Sequence, residues 1–277
     1  MTSARDPLLT LEHITVRLDG TTDTALVDGV SLELERGSCL GLVGESGSGK
    51  SLLLRSIVGL IPRPLRLSGQ LHWSRARDGL QQPLSPRAAR GRDISMIFQE
   101  PMRSLNPMRR ISWTLAEPLR MHAGLRGAAL RERIISLLED VGISDPHRIA
   151  RSYPHELSGG LQQRVMIAAA LSTDPALLLC DEPTTALDVT TQATILDLLR
   201  SLQSTRGLSL VFVSHDLAVV SEVADTVAVM YSGRIVEVGP TAAVIQDPQH
   251  SYTKMLVDSV PARLKPSHTD AHERTRA

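Results

Sequence analysis

The chain has 277 residues, 42% hydrophobic and 22% charged, a globular composition that excludes wholesale disorder, collagen-like repeats and coiled-coil rods. Thirty basic residues balance thirty acidic ones, so no net field favours nonspecific binding to nucleic acid, and we expect no nucleic-acid partner. The chain has only two cysteines, too few for a metal or iron–sulfur site built on cysteine, and both Cys39 and Cys180 lie in apolar runs, which predicts buried thiols.

The first third of the chain predicts β-strands. Apolar and polar side chains alternate loosely over residues 8–18 and strictly over 30–35, and the apolar run from Cys39 predicts a short buried strand before a glycine-rich turn. Residues 74–92 show little apolar periodicity and predict a solvated connection between an edge strand, GQLHW, and the strand ISMIF. We assign that connection no function.

Two stretches predict helices. After the glycine-rich turn, apolar residues share one helical face until Pro62, which is expected to end the helix. Those residues are Leu53, Ile57 and Leu60. Residues 112–172 also carry a helical apolar pattern, and we expect an inserted α-helical subdomain over about 103–172.

Strands and helices alternate after the helical stretch. The apolar run ALLLC, an amphipathic helix, the strand LSLVFVS, the helix DLAVVSEVA and the strand TVAVMY follow one another. This alternation predicts an α/β fold with a mostly parallel sheet covered by helices. The polar tail, residues 262–277, is expected to be flexible, which leaves residues 1–261 as the folded domain.

The sharpest pattern is GESGSGKS at residues 44–51, which fits the consensus G-x-x-x-x-G-K-[ST] directly after a buried strand and at the start of a helix. We call it the phosphate loop. Its glycines let backbone N–H groups point inward around an anion, Lys50 is expected to meet the β- and γ-phosphates, and Ser51 to ligate Mg²⁺. The expected ATP-binding residues are Gly44, Glu45, Ser46, Gly47, Ser48, Gly49, Lys50, Ser51 and Leu52.

Two later strands end in polar side chains. Asp181 and Glu182 follow ALLLC, and His215 follows LSLVFVS, at the strand ends where α/β sheets collect ligands. We expect Asp181 to hold Mg²⁺, Glu182 to act as general base for the attacking water, and His215 to sense the γ-phosphate. Each has a plainer interpretation: adjacent acids cap helices, and a single histidine is more often structural.

The run LSGGLQQR at residues 157–164 resembles the signature that distinguishes ABC-transporter ATPases from other phosphate-loop proteins. The other motifs of that family stand in its order: the phosphate loop, Gln99, Asp181 with Glu182, the ALD run at 186–188, and His215. The resemblance covers about residues 8–260. It implies a P-loop NTPase fold with a mostly parallel sheet, an antiparallel β subdomain and the inserted α-helical subdomain.

In the family, two such subunits stack head to tail and hold ATP between the phosphate loop of one and the signature of the other. The signature residues expected to contact the partner's ATP are Ser158, Gly159, Gly160 and Gln162. Asp188 is expected in a loop at the dimer interface, and Gln99 is expected to contact Mg²⁺ or the attacking water. By itself, S-G-G before a helix is most often a helix cap.

Two stretches resemble the branch of the family that serves peptide and nickel importers: MIFQEPMRSLNP from residue 96 and DPQHSYTKML from residue 247, with Ser251 where that branch usually has proline. The resemblance implies ATP hydrolysis, with ATP and Mg²⁺ bound, that drives import of di- or oligopeptides. It also implies two transmembrane permease subunits, an extracytoplasmic solute-binding protein and a second ATPase subunit, identical or different. Import of nickel or a metal chelate is the alternative cargo, and a soluble ABC ATPase not coupled to transport is the alternative of another class.

The apolar runs are shorter than the roughly 18 residues that span a bilayer, and the residues MTSARDPLL lack the apolar segment of a signal peptide. We therefore expect the chain to stay in the cytosol unless a partner recruits it. With the permease partners that the resemblance implies, the expected location is peripheral, on the cytoplasmic face of the membrane. One position departs from the family, which usually stacks adenine on an aromatic residue where this chain has Leu18. The loss of stacking is worth about 1 kcal/mol, so other purine nucleotides are expected to compete with ATP.

Overall fold

Ten β-strands lie within the residues that the computed structural model describes, which are 7–20, 25–74, 82–99, 104–185 and 187–259. In chain order the strands are β1 (Pro7–Leu18), β2 (Ala25–Glu35), β3 (Cys39–Val43), β4 (Leu65–Trp73), β5 (Gln82–Pro83), β6 (Ile94–Ile97), β7 (Leu177–Asp181), β8 (Ser209–Ser214), β9 (Thr226–Tyr231) and β10 (Arg234–Pro240). They form an antiparallel sheet, β2-β1-β4-β5, and a six-stranded sheet, β10-β9-β3-β8-β7-β6. All neighbours in the larger sheet are parallel except β10 and β9. The predicted parallel sheet and antiparallel subdomain are confirmed.

The described ranges also contain ten α-helices, several of which pack on the six-stranded sheet. They are α1 (Lys50–Ile57), α2 (Pro86–Ala89), α3 (Ile111–His122), α4 (Gly127–Asp140), α5 (Pro146–Arg151), α6 (Gly159–Leu171), α7 (Val189–Arg206), α8 (Leu217–Val223), α9 (Thr241–Gln246) and α10 (Ser251–Ser259). Helices α3 to α6 occupy the stretch where the helical subdomain was expected. None of the helices in the described ranges is long and apolar enough to cross a lipid bilayer.

The central strands face two separate cores, and β7 shows how. Leu177 and Leu179 pack with the antiparallel sheet and α1, whereas Leu178 and Cys180 pack with the helices on the opposite face. Successive strand side chains point to opposite faces, so Asp181 falls on the side of α1. The alternation of β7 thus directs this carboxylate towards the start of α1.

Helix α1 ends about one turn earlier than expected, and Pro62 is not the residue that ends it. Gly59 has a φ of 66°, and its N–H donates to the Ser56 carbonyl while the N–H of Leu60 donates to the Arg55 carbonyl. These two bonds form a Schellman motif, in which a glycine with positive φ satisfies the last carbonyl groups of a helix. Leu60 therefore lies beyond the helix.

The connection over residues 74–92 contains more structure than predicted. Strand β4 is not an edge strand, because it pairs with β1 on one side and with the two-residue strand β5 on the other. Helix α2 follows, and its Ala89 is buried in the core of the antiparallel sheet. Residues 75–81 of this connection lie outside the described ranges, as does the polar tail.

The two cysteines are free and buried, as predicted. They lie on β3 and β7, with β8 between those strands. Burial raises the pKa of both thiols, so neither is expected to form the reactive thiolate near neutral pH.

Candidate functional site

The phosphate loop connects β3 to α1, and close packing demands two of its three glycines, Gly44 and Gly49. A Cβ on Gly44 would lie 2.1 Å from the Met230 carbonyl oxygen, and one on Gly49 would lie 2.6 Å from that of Leu26. Gly49 also has a φ of 104°, which a residue with a side chain rarely adopts. The loop backbone is therefore wedged between β2 and β9, and only glycine fits at these two positions.

Lys50, the first residue of α1, is buried at 4% exposure. Its Nζ donates hydrogen bonds to the carbonyl oxygens of Gly44 and Glu45, both at 2.8 Å, and to Ser48 Oγ at 3.4 Å. Burial lowers the pKa of Lys50, and nearby carboxylates, Glu182 foremost, oppose that shift. The side chain thus places a cationic donor inside the curve of the loop, as the prediction for Lys50 requires.

Asp181, at the end of β7, meets Ser51 of α1. Ser51 Oγ donates to Asp181 Oδ1 at 2.7 Å. The other carboxylate oxygen, Oδ2, is buried and has no hydrogen-bond partner among the described residues. Burial raises the pKa of Asp181 and Glu182 adds to that, whereas Ser51, Arg55 and Lys50 lower it. A buried carboxylate oxygen beside a hydroxyl is a donor set that fits Mg²⁺.

Three side chains converge on Glu182, two of them from distant parts of the chain. Its Oε2 accepts hydrogen bonds from Gln99 Nε2 at 3.2 Å and Thr185 Oγ1 at 2.9 Å, and His215 Nδ1 lies 3.5 Å from it. Glu182 adopts a φ of 47°, uncommon for a residue with a side chain and typical of functional sites. The structure thus brings the three predicted catalytic residues together. Thr185 was not predicted, because its only signal in the sequence is a hydroxyl three residues after an acid.

The signature lies at the start of α6. Ser158 is the N-cap of that helix, with its hydroxyl accepting from the Leu161 N–H at 3.4 Å. Asp188 likewise caps α7, with its carboxylate accepting from the N–H and the hydroxyl of Thr191 at 3.0 and 2.7 Å. These hydrogen bonds lower the pKa of Asp188. Residue 186, in the predicted ALD run, lies outside the described ranges.

The prediction for Gln162 is wrong. Its side chain is only 4% exposed, and its Nε2 donates to the carbonyl oxygens of Pro154 and Leu157 at 2.9 and 3.1 Å. Gln162 is the fourth residue of α6, and its side chain points into the helical subdomain. Its amide therefore stabilises the segment that precedes α6 and does not face a partner subunit. Gly159 and Gly160 form the first turn of α6, where Gly160 lies near Thr191 of α7 and Gly159 lies near Leu187, just before that helix.

A substitution tests the contact between α6 and α7. A Cβ on Gly160 would lie 2.7 Å from Thr191 Cγ2, and the hydrogen bond to Asp188 fixes that side chain. We expect Gly160→Ala to lower the free energy of unfolding in urea by about 1 kcal/mol or more. Gly159→Ala is the control, because its Cβ would lie 3.7 Å from Leu187, an ordinary contact.

Adding Thr191→Ser should restore the lost stability, because serine removes the methyl group and keeps the hydroxyl. If Gly160→Ala were as stable as Gly159→Ala, the close approach of the two helices would be refuted.

Comparison with known proteins gives two family matches. The model described as "ABC transporter" matches residues 27–185, and the model described as "Oligopeptide/dipeptide transporter, C-terminal region" matches residues 236–276.

Individual proteins agree with these matches. A "Peptidoglycan transport ATP-binding protein" of Agrobacterium fabrum is 48% identical over 269 residues, 96% of this chain and 49% of the relative. A "Putative peptide import ATP-binding protein" of Brucella ovis is 45% identical over 267 residues, 93% of this chain and 79% of the relative. The chain thus spans about half the length of the first relative. A solved dimeric, post-hydrolysis state of the ATP-binding cassette MJ0796 with ADP and Pi superposes with a TM-score of 0.70 at 28% identity, covering 84% of this chain and 98% of that one.

Proposed function

The chain belongs to the ABC transporter family of ATPases, and we propose that it is the ATP-hydrolysing subunit of an importer that takes up peptides. The observation that carries the proposal is the convergence of Ser51, Asp181 and Glu182 at one edge of the parallel sheet. The relatives reported above are named for peptide or peptidoglycan transport, and this favours a peptide cargo over nickel.

We propose that Ser51 and Asp181 hold Mg²⁺, with Gln99 as a further ligand through its amide oxygen. Within the described ranges, no cluster of three or more His, Cys, Asp or Glu side chains could hold a metal. The ion would therefore take most of its ligands from water and nucleotide phosphates, as Mg²⁺ usually does. Bound there, it would neutralise charge on the β- and γ-phosphates.

In this proposal Glu182 removes the proton of the attacking water. The contacts from Gln99, Thr185 and His215 all reach Oε2. We therefore propose that Oε1 is the oxygen that accepts the proton of the attacking water. Holding one oxygen fixes the direction of the other, and orientation is a large part of what a general base contributes. Lys50 supplies positive charge to the phosphates, and His215 lies close enough to respond to the charge on Glu182.

The proposed partners are a second ATPase subunit, two membrane permeases and an extracytoplasmic solute-binding protein. A groove of about 330 Å³ lies beside strand β6 and helices α3 and α6, close to Gln99, and offers a mainly apolar surface for a permease segment. Its apolar lining includes Leu60, Met96, Phe98, Pro118 and Met166. A permease segment bound there would lie next to a residue that contacts Glu182, which supports coupling of transport to hydrolysis.

Three measurements test the proposal. The purified chain should hydrolyse ATP only when Mg²⁺ is present, and co-expression with its permeases should make it sediment with membranes. Vesicles carrying the complete complex and the solute-binding protein should then accumulate labelled di- or oligopeptides when ATP is supplied. Accumulation of nickel without peptide would replace the proposed cargo, and hydrolysis without membrane association would favour an ATPase not coupled to transport.

Leu18 provides a separate prediction about nucleotide selectivity. It ends β1 and is 44% exposed, and a leucine there gives adenine no aromatic ring to stack on. We expect the wild type to bind ATP and GTP with affinities within a few-fold of each other, and Leu18→Tyr to tighten ATP binding about fivefold. Leu67→Tyr, at a leucine of similar exposure on β4, is the control in calorimetry. A strong ATP preference of the wild type would contradict the first expectation.

A further inference from the structure

The C-terminal helix α10 reaches the phosphate loop through one side chain. Tyr252 lies in its first turn and is 6% exposed. Its hydroxyl oxygen accepts a hydrogen bond from the backbone N–H of Glu45, the second residue of the loop, at 2.7 Å. Its ring packs on that of Tyr231, at the end of β9, with centroids 4.4 Å apart and planes inclined by 36°. The helix therefore contacts the loop backbone directly.

The backbone of Glu45 is held from both sides. Its N–H donates to Tyr252, and its carbonyl oxygen accepts from Lys50 Nζ at 2.8 Å. Lys50 also donates to the carbonyl of Gly44, the neighbouring residue. One residue of backbone thus separates the tyrosine hydroxyl from the lysine ammonium. Fixing the Glu45 N–H fixes the peptide plane between Gly44 and Glu45, and hence the direction of a carbonyl that Lys50 uses.

The position of Tyr252 is set outside the loop. The Glu237 carboxylate on β10 accepts from the backbone N–H groups of Gln249 and His250, both at 2.9 Å. His250 Nδ1 in turn accepts from the Tyr252 N–H at 3.2 Å. Burial acts to raise the pKa of Glu237, but the hydrogen bonds to its carboxylate lower it overall, so Glu237 stays an acceptor at neutral pH. These contacts attach the start of α10 to the sheet independently of the loop.

Burial raises the pKa of Tyr252, although the bond from Glu45 opposes this. The hydroxyl therefore stays neutral over the physiological range. A neutral hydroxyl accepts from an N–H without placing a negative charge beside the loop, where it would repel phosphate. A neutral tyrosine hydroxyl is therefore a suitable hydrogen-bond partner for the backbone of a loop that binds anions.

We propose that Tyr252 is a positioning residue for nucleotide binding, which holds the first turn of the phosphate loop and, through Glu45, the carbonyl groups that direct Lys50. This role rests on the proposed function of the loop in binding ATP. Tyr252 lies in the C-terminal region that the oligopeptide/dipeptide transporter model matches. The proposed role of that region is therefore to stabilise the nucleotide site. The competing explanation is that Tyr252 only fills space against Tyr231.

The test compares Tyr252→Phe, which removes only the hydroxyl, with Tyr231→Phe, which removes the hydroxyl of the other ring of the pair, on a residue that is 40% exposed. In the full chain, Tyr252→Phe should raise KM for magnesium ATP about fivefold, the effect of losing one hydrogen bond, and leave kcat within about twofold. Hydrogen exchange at the Glu45 amide, followed by NMR, should accelerate by a similar factor. Tyr231→Phe should change none of these quantities.

Equal KM and equal Glu45 exchange in Tyr252→Phe and the wild type would overturn the inference and leave Tyr252 as a packing residue. Failure of the wild type to bind magnesium ATP would instead refute the proposed function. The two failures differ because exchange at the Glu45 amide reports the hydrogen bond without any nucleotide.

Discussion

Glu182→Gln is expected to lower kcat for ATP hydrolysis about a thousandfold and to leave the affinity for magnesium ATP within about twofold. A positioned general base contributes between about a hundredfold and ten-thousandfold to a rate. Glutamine keeps the shape of the side chain and can still bond to Gln99 and Thr185, but it does not accept the proton of water. Steady-state phosphate release and calorimetry measure the two quantities.

The same variant should accumulate as a dimer when ATP is present. We expect ATP to hold the two subunits together, and this variant does not hydrolyse it. Size-exclusion chromatography with and without ATP measures this. Glu132→Gln, at an exposed glutamate of α4, is the matched control and should behave as the wild type in each assay. Unchanged turnover in Glu182→Gln would refute the assignment of the base.

Lys50→Met should weaken the binding of magnesium ATP a hundredfold or more and abolish measurable hydrolysis. The buried ammonium of Lys50 donates three hydrogen bonds inside the loop. When nucleotide binds, we expect it to donate to the phosphates instead. Hydrogen bonds to charged groups are worth about 1.5–3 kcal/mol each, so two of them account for the expected loss. Methionine fills similar space without the charge.

Lys254→Met is the control for charge removal, since the chain has three lysines and Lys254 is exposed on α10. Thermal unfolding should show that both variants fold. If Lys50→Met bound magnesium ATP as tightly as Lys254→Met, the phosphate loop would not be the nucleotide site.

Several features of the site could be predicted because their cause is local. A phosphate loop needs glycine, lysine and serine at fixed spacing between a strand and a helix, and the chain has them at residues 44–51. Asp181 and Glu182 follow an apolar strand, and alternation along β7 determines which of the two faces α1. The end of α1 also had a local signal, Gly59, but the prediction relied on Pro62 instead.

Other features depend on contacts between distant parts of the chain. Gln162 and Ser158 belong to the same short motif, yet their side chains point in different directions from α6. Gln162 is buried in the helical subdomain, whereas Ser158 caps the helix. Tyr252 and Glu45 are 207 residues apart, and nothing in either local sequence indicates their hydrogen bond.

The sequence by itself therefore determined the fold class, the phosphate loop and the acidic strand end, because spacing along a strand or helix fixes which side chains share a face. Only the tertiary structure decided which oxygen of Glu182 is held, how closely Gly160 approaches α7, and that Tyr252 supports the loop. Those contacts depend on how β6, β7, β8 and α10 are placed in space, and the burial of whole faces sets that placement.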